Sequence, residues 1–294
     1  MRVAVIGANG QLGADLVHAF EHDGATVTGL THGDLEITDS DSVLQVLRNQ
    51  QPDMIVNTAA FHHLETCERE PEKAFAVNAV GPRNLALIAR QLDSVLVQVS
   101  TDYVFDGIRD TPYRERDLPR PLNVYGITKL AGEHFVHAIT DRHFVVRTSG
   151  LYGRQPCRGK GGLNFVDLML KLARERDEVR VVDSERVSPT STKALARQIV
   201  VLSHSDSYGL YHATAEGSCS WFEFAREVFA MTDTRVNLKV ASAHEFPAKV
   251  LRPSYSVLEN GALKARGLNI LKPWQEDLQE YLGVASPCPE VQAR

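Results

Sequence analysis

The stretch VAVIGANGQLG, residues 3–13, decides the fold of this chain. It starts in a short apolar run of strand character that breaks at Gly7, and a helical apolar period begins at Leu12. Between the two stand Gly7, Gly10 and Gly13 in the pattern G-x-x-G-x-x-G. Glycines allow a tight turn and a close approach of the backbone, and amide groups at a helix N-terminus attract anions. The stretch therefore predicts a binding site for the pyrophosphate of a dinucleotide.

The same alternation continues along the first half of the chain. The predicted strands cover residues 2–6, 26–30, 53–57, 95–99, 144–147 and, further on, 179–182. The predicted helices cover residues 72–92, 123–139, 165–174 and a segment that starts at Asp39 or Ser40. Strands and helices that alternate at this spacing predict an α/β fold with a doubly wound parallel sheet of the Rossmann-like type.

Beyond about residue 150 the alternation becomes less regular, starting with a segment rich in glycine, arginine and lysine at residues 153–162. We therefore predict an NAD(P)-binding domain over residues 1–150 and a smaller C-terminal lobe over residues 151–294. The second lobe is expected to be mainly substrate-binding, and some of its segments can return to the first domain. The polar, proline-containing residues 285–294 are expected to fray.

The composition restricts the class of partner. The chain has 294 residues, 43% of them hydrophobic, and a formal net charge of -5, so it lacks a strong positive field for nucleic acid or an anionic membrane. It shows no apolar run of membrane-spanning length and no secretory signal pattern. The four cysteines are widely spaced without a C-x-x-C pair, which is typical of a reducing compartment. We predict a cytoplasmic protein that binds neither nucleic acid nor membrane.

A tyrosine and a lysine one helical turn apart form a candidate catalytic pair. Tyr125 and Lys129 lie in the predicted helix 123–139, where the i, i+4 spacing puts both side chains on one face. Ketone reduction needs a proton donor beside the oxygen, and a tyrosine must have its pKa lowered from about 10 to act near neutrality. The Lys129 ammonium group would supply that shift. The alternative is an ordinary pair of neighbours on a helix surface.

Thr101 follows the predicted strand 95–99 at the carboxyl edge of the sheet, where ligands of doubly wound folds bind. A hydroxyl group there can donate a hydrogen bond to a substrate carbonyl oxygen and stabilise the charge that develops on it. By itself, Ser100-Thr101-Asp102 is equally compatible with a turn or a helix cap. The order of the glycine turn, Thr101 and the Tyr125/Lys129 pair, each at the appropriate element, favours the catalytic interpretation.

These motifs and several others occur in the order found in one enzyme family. They are Gly7-x-x-Gly10-Gln11-Leu12-Gly13, Asn57-Thr58-Ala59-Ala60, Val77-Asn78-Ala79, Ser100-Thr101-Asp102-Tyr103-Val104-Phe105-Asp106-Gly107, Tyr125-x-x-x-Lys129, Arg147-Thr148-Ser149, Pro189-Thr190-Ser191 and residues 252–258 with Trp274. Over essentially its whole length the chain resembles the dTDP-4-dehydrorhamnose reductases of the extended short-chain dehydrogenase/reductase superfamily. The resemblance implies NAD(P)H-dependent reduction of a 4-keto deoxy-sugar nucleotide, with hydride from the nicotinamide and a proton from Tyr125.

The resemblance, together with the glycine turn, also assigns individual residues. The implied catalytic residues are Thr101, Tyr125 and Lys129. The implied cofactor contacts are Gly7, Gly10, Gln11, Leu12, Gly13, Glu36, Ile37, Ala59, Ala60, Phe61, Tyr125 and Lys129. The implied substrate contacts are Thr101, Asp102, Gly150 and Arg252, with no metal, and a homodimer is expected.

The end of the second predicted strand bears on the choice of cofactor. Thr31 and His32 stand where an acidic residue would accept the ribose 2′-hydroxyl group of NAD. This favours NADP(H), with NAD(H) as the alternative. The resemblance places Glu36 where the family usually has an aspartate, and we expect it to keep the adenine contact.

One departure from the family lies on the substrate side. The family usually reads R-T-S-W-x-Y-G, whereas this chain has Gly150 in place of the tryptophan. A tryptophan offers a large apolar contact surface, so its loss leaves the identity of the sugar open. Two other functions therefore stay open. One is a non-catalytic NADP-binding regulatory subunit resembling that of methionine adenosyltransferase, and the other is a sugar-nucleotide epimerase or dehydratase.

Two polar clusters outside these motifs have alternative interpretations. The first contains His62, His63, Glu65, Cys67 and Glu68, but its spacing matches no zinc pattern, which favours an ordinary loop. The second contains Arg154, Arg158 and Lys160, which would either clamp a substrate diphosphate or remain solvated.

Overall fold

Six parallel strands form the central sheet of the structure, a computed structural model that describes residues 1–156, 162–241 and 249–284. In chain order, the strands of the described residues, inside and outside this sheet, are β1 (Arg2–Ile6), β2 (Thr26–Leu30), β3 (Met54–Asn57), β4 (Val95–Thr101), β5 (His143–Thr148), β6 (Leu151–Tyr152), β7 (Glu178–Val181), β8 (Arg186–Val187), β9 (Thr190–Ser191), β10 (Gly209–His212), β11 (Cys219–Ser220) and β12 (Asn237–Val240). The sheet has the order β10-β5-β4-β3-β1-β2, and every neighbouring pair in it is parallel. The predicted doubly wound parallel sheet is confirmed.

Helices cover both faces of this sheet. They are α1 (Gln11–His22), α2 (Ser40–Gln50), α3 (Leu64–Arg69), α4 (Pro71–Phe75), α5 (Gly81–Leu92), α6 (Val124–Ile139), α7 (Phe165–Glu175), α8 (Thr192–Ser203), α9 (Trp221–Met231), α10 (Gly261–Ala265) and α11 (Trp274–Leu282). None of the helices in the described ranges is long and apolar enough to cross a membrane.

Strand β1 shows why the helices divide between two faces. Successive side chains of a strand point to opposite faces, so Val3 and Val5 pack on the side of α1 and α8, while Ala4 and Ile6 pack on the side of α2, α5 and α6. Because both faces are covered, the strand is apolar at each of these positions instead of alternating. Its carboxyl end is thereby held at the edge of the sheet, next to the glycine turn.

The prediction of one continuous helix over residues 72–92 is wrong. The segment instead consists of α4, a π-helical turn at Ala76–Val80, and α5. Pro82 lacks an amide hydrogen and cannot continue the regular bonding, and Gly81 bonds Ala76 five residues back. The wider turn displaces the backbone around Asn78, which lies in the site described below.

Other predicted boundaries differ by small amounts. Strand β4 continues to Thr101, so this residue ends the strand instead of following it. Helix α6 begins at Val124, because Asn123 caps it by accepting a hydrogen bond from Gly126 N–H at 2.9 Å. The predicted fraying of residues 285–294 lies outside the described residues.

The later part of the chain contributes to two cores. Strand β10 pairs with β5 in the main sheet, and α8 packs against α1. Helices α7, α9 and α11 surround a separate apolar core with Phe224 and Trp274 near its centre. The division into domains at residue 150 stays a prediction.

An acidic side chain lies in that separate core. Asp277 on α11 is only 4% exposed, and its Oδ2 has no hydrogen-bond partner in the described part of the chain. Burial, aided by the charge of Glu280, raises the pKa of Asp277 to about 7. The folded chain therefore binds a proton here at pH values where an unfolded chain, with a pKa near 3.8, has lost it.

We expect Asp277→Asn to remove part of the pH dependence of stability. With a pKa raised from 3.8 to about 7, the wild type gains proton-linked stability that is present at low pH and lost as the pH rises through about 7. The variant should therefore unfold at a temperature about 1 to 3 °C above wild type at pH 8, with a smaller difference at pH 5. Calorimetry at both values checks this. Glu276→Gln on the same helix, whose side chain is exposed, is the control, and an unchanged pH slope in Asp277→Asn would contradict the prediction.

Candidate active site

The glycine turn connects β1 to α1 at the carboxyl edge of the sheet. A Cβ atom on Gly13 would lie 2.1 Å from the Gly7 carbonyl oxygen, so this position has to be glycine for the helix to begin so close to the turn. Gly10 is the N-cap of α1, and no side chain caps the helix there. Its first amide groups are thus left for a ligand, as in an anion site.

The side chains of the two residues after Gly10 point elsewhere. Gln11 donates a hydrogen bond from Nε2 to the Gly153 carbonyl oxygen at 2.9 Å, which links the turn to the start of the second lobe. Leu12 is buried in the core beneath α1. Any contact of these two residues with a phosphate would therefore come from their backbone amides.

Glu36 and Ile37 follow β2, where the adenine contact is predicted. The Glu36 carboxylate accepts hydrogen bonds from the backbone and hydroxyl group of Thr38 at 2.9 and 2.8 Å, and it lies 2.8 Å from His32 Nε2. The Thr38 backbone bond is the main cause that lowers the pKa of Glu36. Ile37 is buried and packs against Gly81 at the start of α5.

Asn78 holds the segment after β3 in place. It accepts from Phe61 N–H and donates to the Phe61 carbonyl oxygen, both at 2.8 Å, and its Nδ2 also lies 3.1 Å from Thr128 Oγ1 on α6. Ala59 N–H, two residues before Phe61, donates to Asn57 Oδ1 at 3.1 Å. The sequence analysis named Asn78 within a motif but did not assign it this role. The available signal was a polar asparagine inside the predicted helix, shortly before Pro82.

The structure brings Thr101, Tyr125 and Lys129 together. Thr101 ends β4, and its side chain lies next to that of Tyr125 on α6. Lys129, one turn further along α6, donates from Nζ to the Val99 carbonyl oxygen at 2.6 Å. Tyr103 packs edge-on against Tyr125 with 5.9 Å between ring centres. The predicted shared face of the helix is confirmed as geometry.

The electrostatics of the pair differ from the prediction. Burial raises the pKa of Tyr125, and the hydrogen bond with Thr101 opposes the rise only in part. Burial also lowers the pKa of Lys129 to about 8, against the opposing charge of Glu133. The sequence predicted a tyrosine pKa lowered by Lys129, but exclusion of water dominates at both side chains.

A buried ion pair lies behind Lys129. Glu133, one further turn along α6, accepts two hydrogen bonds from Arg147 Nε at 3.0 and 3.1 Å and one from Nη2 at 2.6 Å. Ser100 Oγ donates to the same carboxylate, and both members of the ion pair are at most 7% exposed in their side chains. Helix α6 is thus tied to β4 and β5 directly behind the catalytic candidates. The sequence reasoning missed Glu133, although its i+4 spacing from Lys129 was visible.

Asp102 lies beneath the candidate trio instead of at its surface. Its side chain is 5% exposed, Oδ1 is hydrogen-bonded to Thr101 Oγ1 at 3.0 Å, and Oδ2 accepts from Ser149 Oγ at 2.8 Å. Burial is the main cause that raises the pKa of the Asp102 carboxyl group.

Gly150 and Arg252 are the remaining residues for which the sequence predicts a substrate contact. Gly150 has a φ of +57°, and a Cβ atom there would lie 3.1 Å from the Pro189 Cα, so a larger residue would be strained in this backbone. Arg252 is exposed, and its charge acts on Tyr103, where it opposes the rise in pKa caused by burial.

The two additional polar clusters have ordinary contacts. His63 caps α3 through its ring, and burial raises the pKa of Cys67 to about 11. The described residues contain no group of three or more His, Cys, Asp or Glu side chains that could hold a metal ion. Arg154 donates to the Tyr281 carbonyl oxygen at 2.7 Å, while residues 158 and 160 lie outside the described residues.

We expect Glu133→Ala to destabilise the fold by about 3–5 kcal/mol, because it leaves Arg147 buried without its partner. The free energy of unfolding in urea measures the loss. Glu280→Ala is the matched control: Glu280 also meets two cations, Lys193 and Arg197, but on the surface, where the loss should be about 1 kcal/mol or less. Equal losses in the free energy of unfolding would contradict the prediction, because the buried ion pair would then stabilise the fold no more than the surface ion pairs do.

Comparison with known proteins places the chain in a family. Residues 1–286 match the family described as RmlD substrate binding domain. The chain is 40% identical to dTDP-4-dehydrorhamnose reductase of Streptomyces griseus, over 95% of this chain and 92% of the relative. It is 38% identical to the spore coat polysaccharide biosynthesis protein SpsK of Bacillus subtilis, over 96% of each chain.

Solved structures agree with the sequence matches. The crystal structure of a Bacillus anthracis dTDP-4-dehydrorhamnose reductase in complex with NADP superposes with a TM-score of 0.91 at 38% identity, over 96% of this chain and 98% of that one. A Thermus thermophilus UDP-glucose 4-epimerase complex with NAD superposes with a TM-score of 0.82 over 96% of this chain and 98% of that one, at 20% identity, which shows a shared fold alone. The chain belongs to the RmlD substrate binding domain family, whose match covers the glycine turn, the Thr101–Tyr125–Lys129 cluster and the later part of the chain up to residue 286.

Proposed function

We propose that this chain is an NADPH-dependent reductase of a 4-keto deoxy-sugar nucleotide, of the dTDP-4-dehydrorhamnose reductase type. The observation that carries the proposal is the contact between Thr101 and Tyr125, with Lys129 one turn away, at the carboxyl edge of a parallel sheet. Two relatives that are 40% and 37% identical to this chain, matched over 92% and 96% of their own length, bear reductase names. Their names support the same activity here.

The residues present fit a dinucleotide. The glycine turn places the uncapped N-terminus of α1 at the edge of the sheet, and Gly13 keeps the turn tight. The segment Ala59-Ala60-Phe61 is half-buried and held by Asn57 and Asn78, so it offers a fixed, largely apolar wall. We assign the cofactor contacts predicted from the sequence to this surface, with Lys129 near the nicotinamide ribose.

The chemistry divides between cofactor and protein. NADPH supplies the hydride when bound. Tyr125 donates the proton to the ketone oxygen, since its burial keeps the hydroxyl group protonated over the physiological range. Thr101 donates a hydrogen bond to the same oxygen and stabilises the charge that develops there. Lys129 replaces the proton lost by Tyr125 or balances its charge, because its pKa near 8 lets it hold a proton at neutral pH.

The preference for NADP(H) rests on two observations. A relative of 38% identity was solved with NADP. In this chain β2 ends at Leu30 and is followed by Thr31 and His32, without an acidic residue there to accept a ribose 2′-hydroxyl group.

The substrate contacts follow from position. Arg252 is exposed beside Tyr103, and a guanidinium group there can pair with the diphosphate of a sugar nucleotide. Gly150 removes the aromatic wall seen in the family and cannot regain it without strain against Pro189. We therefore assign a less enclosed sugar site to this chain. Asp102 is buried and hydrogen-bonded to Thr101, and its direct contact with the substrate stays a prediction.

The alternatives have less support. A regulatory subunit needs no proton donor, yet the structure keeps Tyr125 in contact with Thr101. The epimerase likeness extends only to the fold. The homodimer, the cytoplasmic location and the lack of nucleic-acid binding stay predictions.

We expect Tyr125→Phe to lower kcat by about 100-fold or more, because the proton donor is lost while the ring stays packed. Affinity for NADPH should remain close to wild type, since the glycine turn is untouched. Steady-state oxidation of NADPH and a fluorescence titration of NADPH measure the two effects. Unchanged kcat would exclude Tyr125 as the donor.

The sugar can be identified with a panel of substrates. We expect NADPH oxidation with dTDP-linked 4-keto-6-deoxy sugars, and weaker or no oxidation with the GDP- and UDP-linked forms, with products identified by mass spectrometry. Absence of oxidation with every compound, together with co-purification of an unrelated synthetase, would favour the regulatory alternative.

A further inference from the structure

The hydroxyl group of Thr101 lies among several polar groups and has a single hydrogen to donate. Its Oγ1 accepts from Tyr103 N–H at 3.2 Å, contacts Asp102 Oδ1 at 3.0 Å, and lies next to Tyr125. A threonine hydroxyl group has one hydrogen and two lone pairs. If the hydrogen points to Asp102, none is left for a substrate ketone or for Tyr125.

The surroundings of Asp102 bear on where that hydrogen goes. Its carboxyl group is hydrogen-bonded to Thr101 at the end of β4 and to Ser149 just after β5. Ser256 lies nearby, but its Oγ has no hydrogen-bond partner within the described residues. No lysine or arginine contacts it in the described part of the chain. Burying an ionised carboxylate without a cation is costly, so the group takes up a proton instead.

Tyr103, on the same turn, and Tyr125, from α6, are among the titratable groups near this position, and Glu185 and Arg252 also act on Tyr103. An ionised Asp102 would raise the pKa of each tyrosine in addition to the rise caused by burial. Burial is also the largest cause that raises the pKa of Asp102 itself.

We propose that Asp102 works as a neutral carboxylic acid that donates its hydrogen to Thr101 Oγ1 and so turns the Thr101 hydrogen toward Tyr125 and the substrate ketone. Every contact then has one hydrogen. Ser149 donates to Oδ2, which is the carbonyl oxygen of the acid, while Oδ1 carries the proton. Thr101 accepts from Asp102 and from Tyr103 N–H, and its own hydrogen remains for the reacting site.

This role makes Asp102 a positioning residue, and it rests on the proposed function. Ionisation of Asp102 would draw the Thr101 hydrogen back to Oδ1 and remove it from the ketone. The active form is the protonated one, so its contribution is present at low pH and is lost as the pH rises through the raised pKa.

Asparagine provides the test, because its amide group can donate to Thr101 as the acid does and never ionises. We expect Asp102→Asn to keep kcat within about fivefold of wild type and to lose one ionisation from the alkaline side of the kcat profile. Asp102→Ala should lower kcat by about 100-fold with a smaller change in KM. Asp106→Asn is the matched control, since Asp106 in the same segment pairs with Tyr113 at 2.7 Å and should leave the alkaline side unchanged.

Two results would overturn the proposal. One is a loss in Asp102→Asn as large as in Asp102→Ala while both variants unfold at the wild-type temperature, because a carboxylate would then be required. The other is full activity in both variants.

A readout that does not depend on turnover separates this proposal from the proposed function. The infrared spectrum of the wild type at pH 7 should contain the carbonyl stretch of a protonated carboxyl group that is absent from Asp102→Asn. Absence of that band in the wild type would overturn the role of Asp102, whatever the substrate proves to be. Lack of activity on all 4-keto sugar nucleotides with the band present would overturn the function alone.

Discussion

The ion pair between Glu133 and Arg147 is the interaction on which the site depends. It joins α6 to β5 and, through Ser100, to β4, so the helix with Tyr125 and Lys129 has one fixed position against the end of the strand with Thr101. Either buried charge without its partner would destabilise the fold. Together with the Ser100 hydroxyl group, the paired charges form a rigid contact. The geometry of the candidate catalytic cluster is a consequence of this contact behind it.

Exclusion of water governs the chemistry in front of that pair. Burial moves the pKa values of Tyr125 and Asp102 up and that of Lys129 down, so all three shift toward their neutral forms. A neutral tyrosine and a neutral acid are hydrogen donors, which suits a reaction that delivers a proton to a ketone oxygen. Lys129, with a pKa near 8, stays close to the point at which it can exchange a proton in neutral solution.

The glycine turn is tied to the later part of the chain by a few polar contacts. The Gly153 carbonyl oxygen accepts from Gln11 Nε2 and from Asn164 Nδ2 at 2.9 and 2.8 Å. Helix α8, from the later part of the chain, packs against α1, which begins at the same turn. The glycine turn is therefore held against the segment that follows Gly150.

The sequence by itself determined the parallel sheet, the glycine turn, and the placement of Tyr125 and Lys129 on one helical face, because each depends on a local period or on spacing along one element. It could not show that Glu133 meets Arg147 or that Asp102 points into the core, since these contacts join residues from different elements. The break in the predicted helix 72–92 at Ala76–Val80 has two causes, the packing around Asn78 and the presence of Pro82. Only the tertiary structure decided the protonation of the site, because burial is a property of the assembled fold and has no periodic signal along the chain.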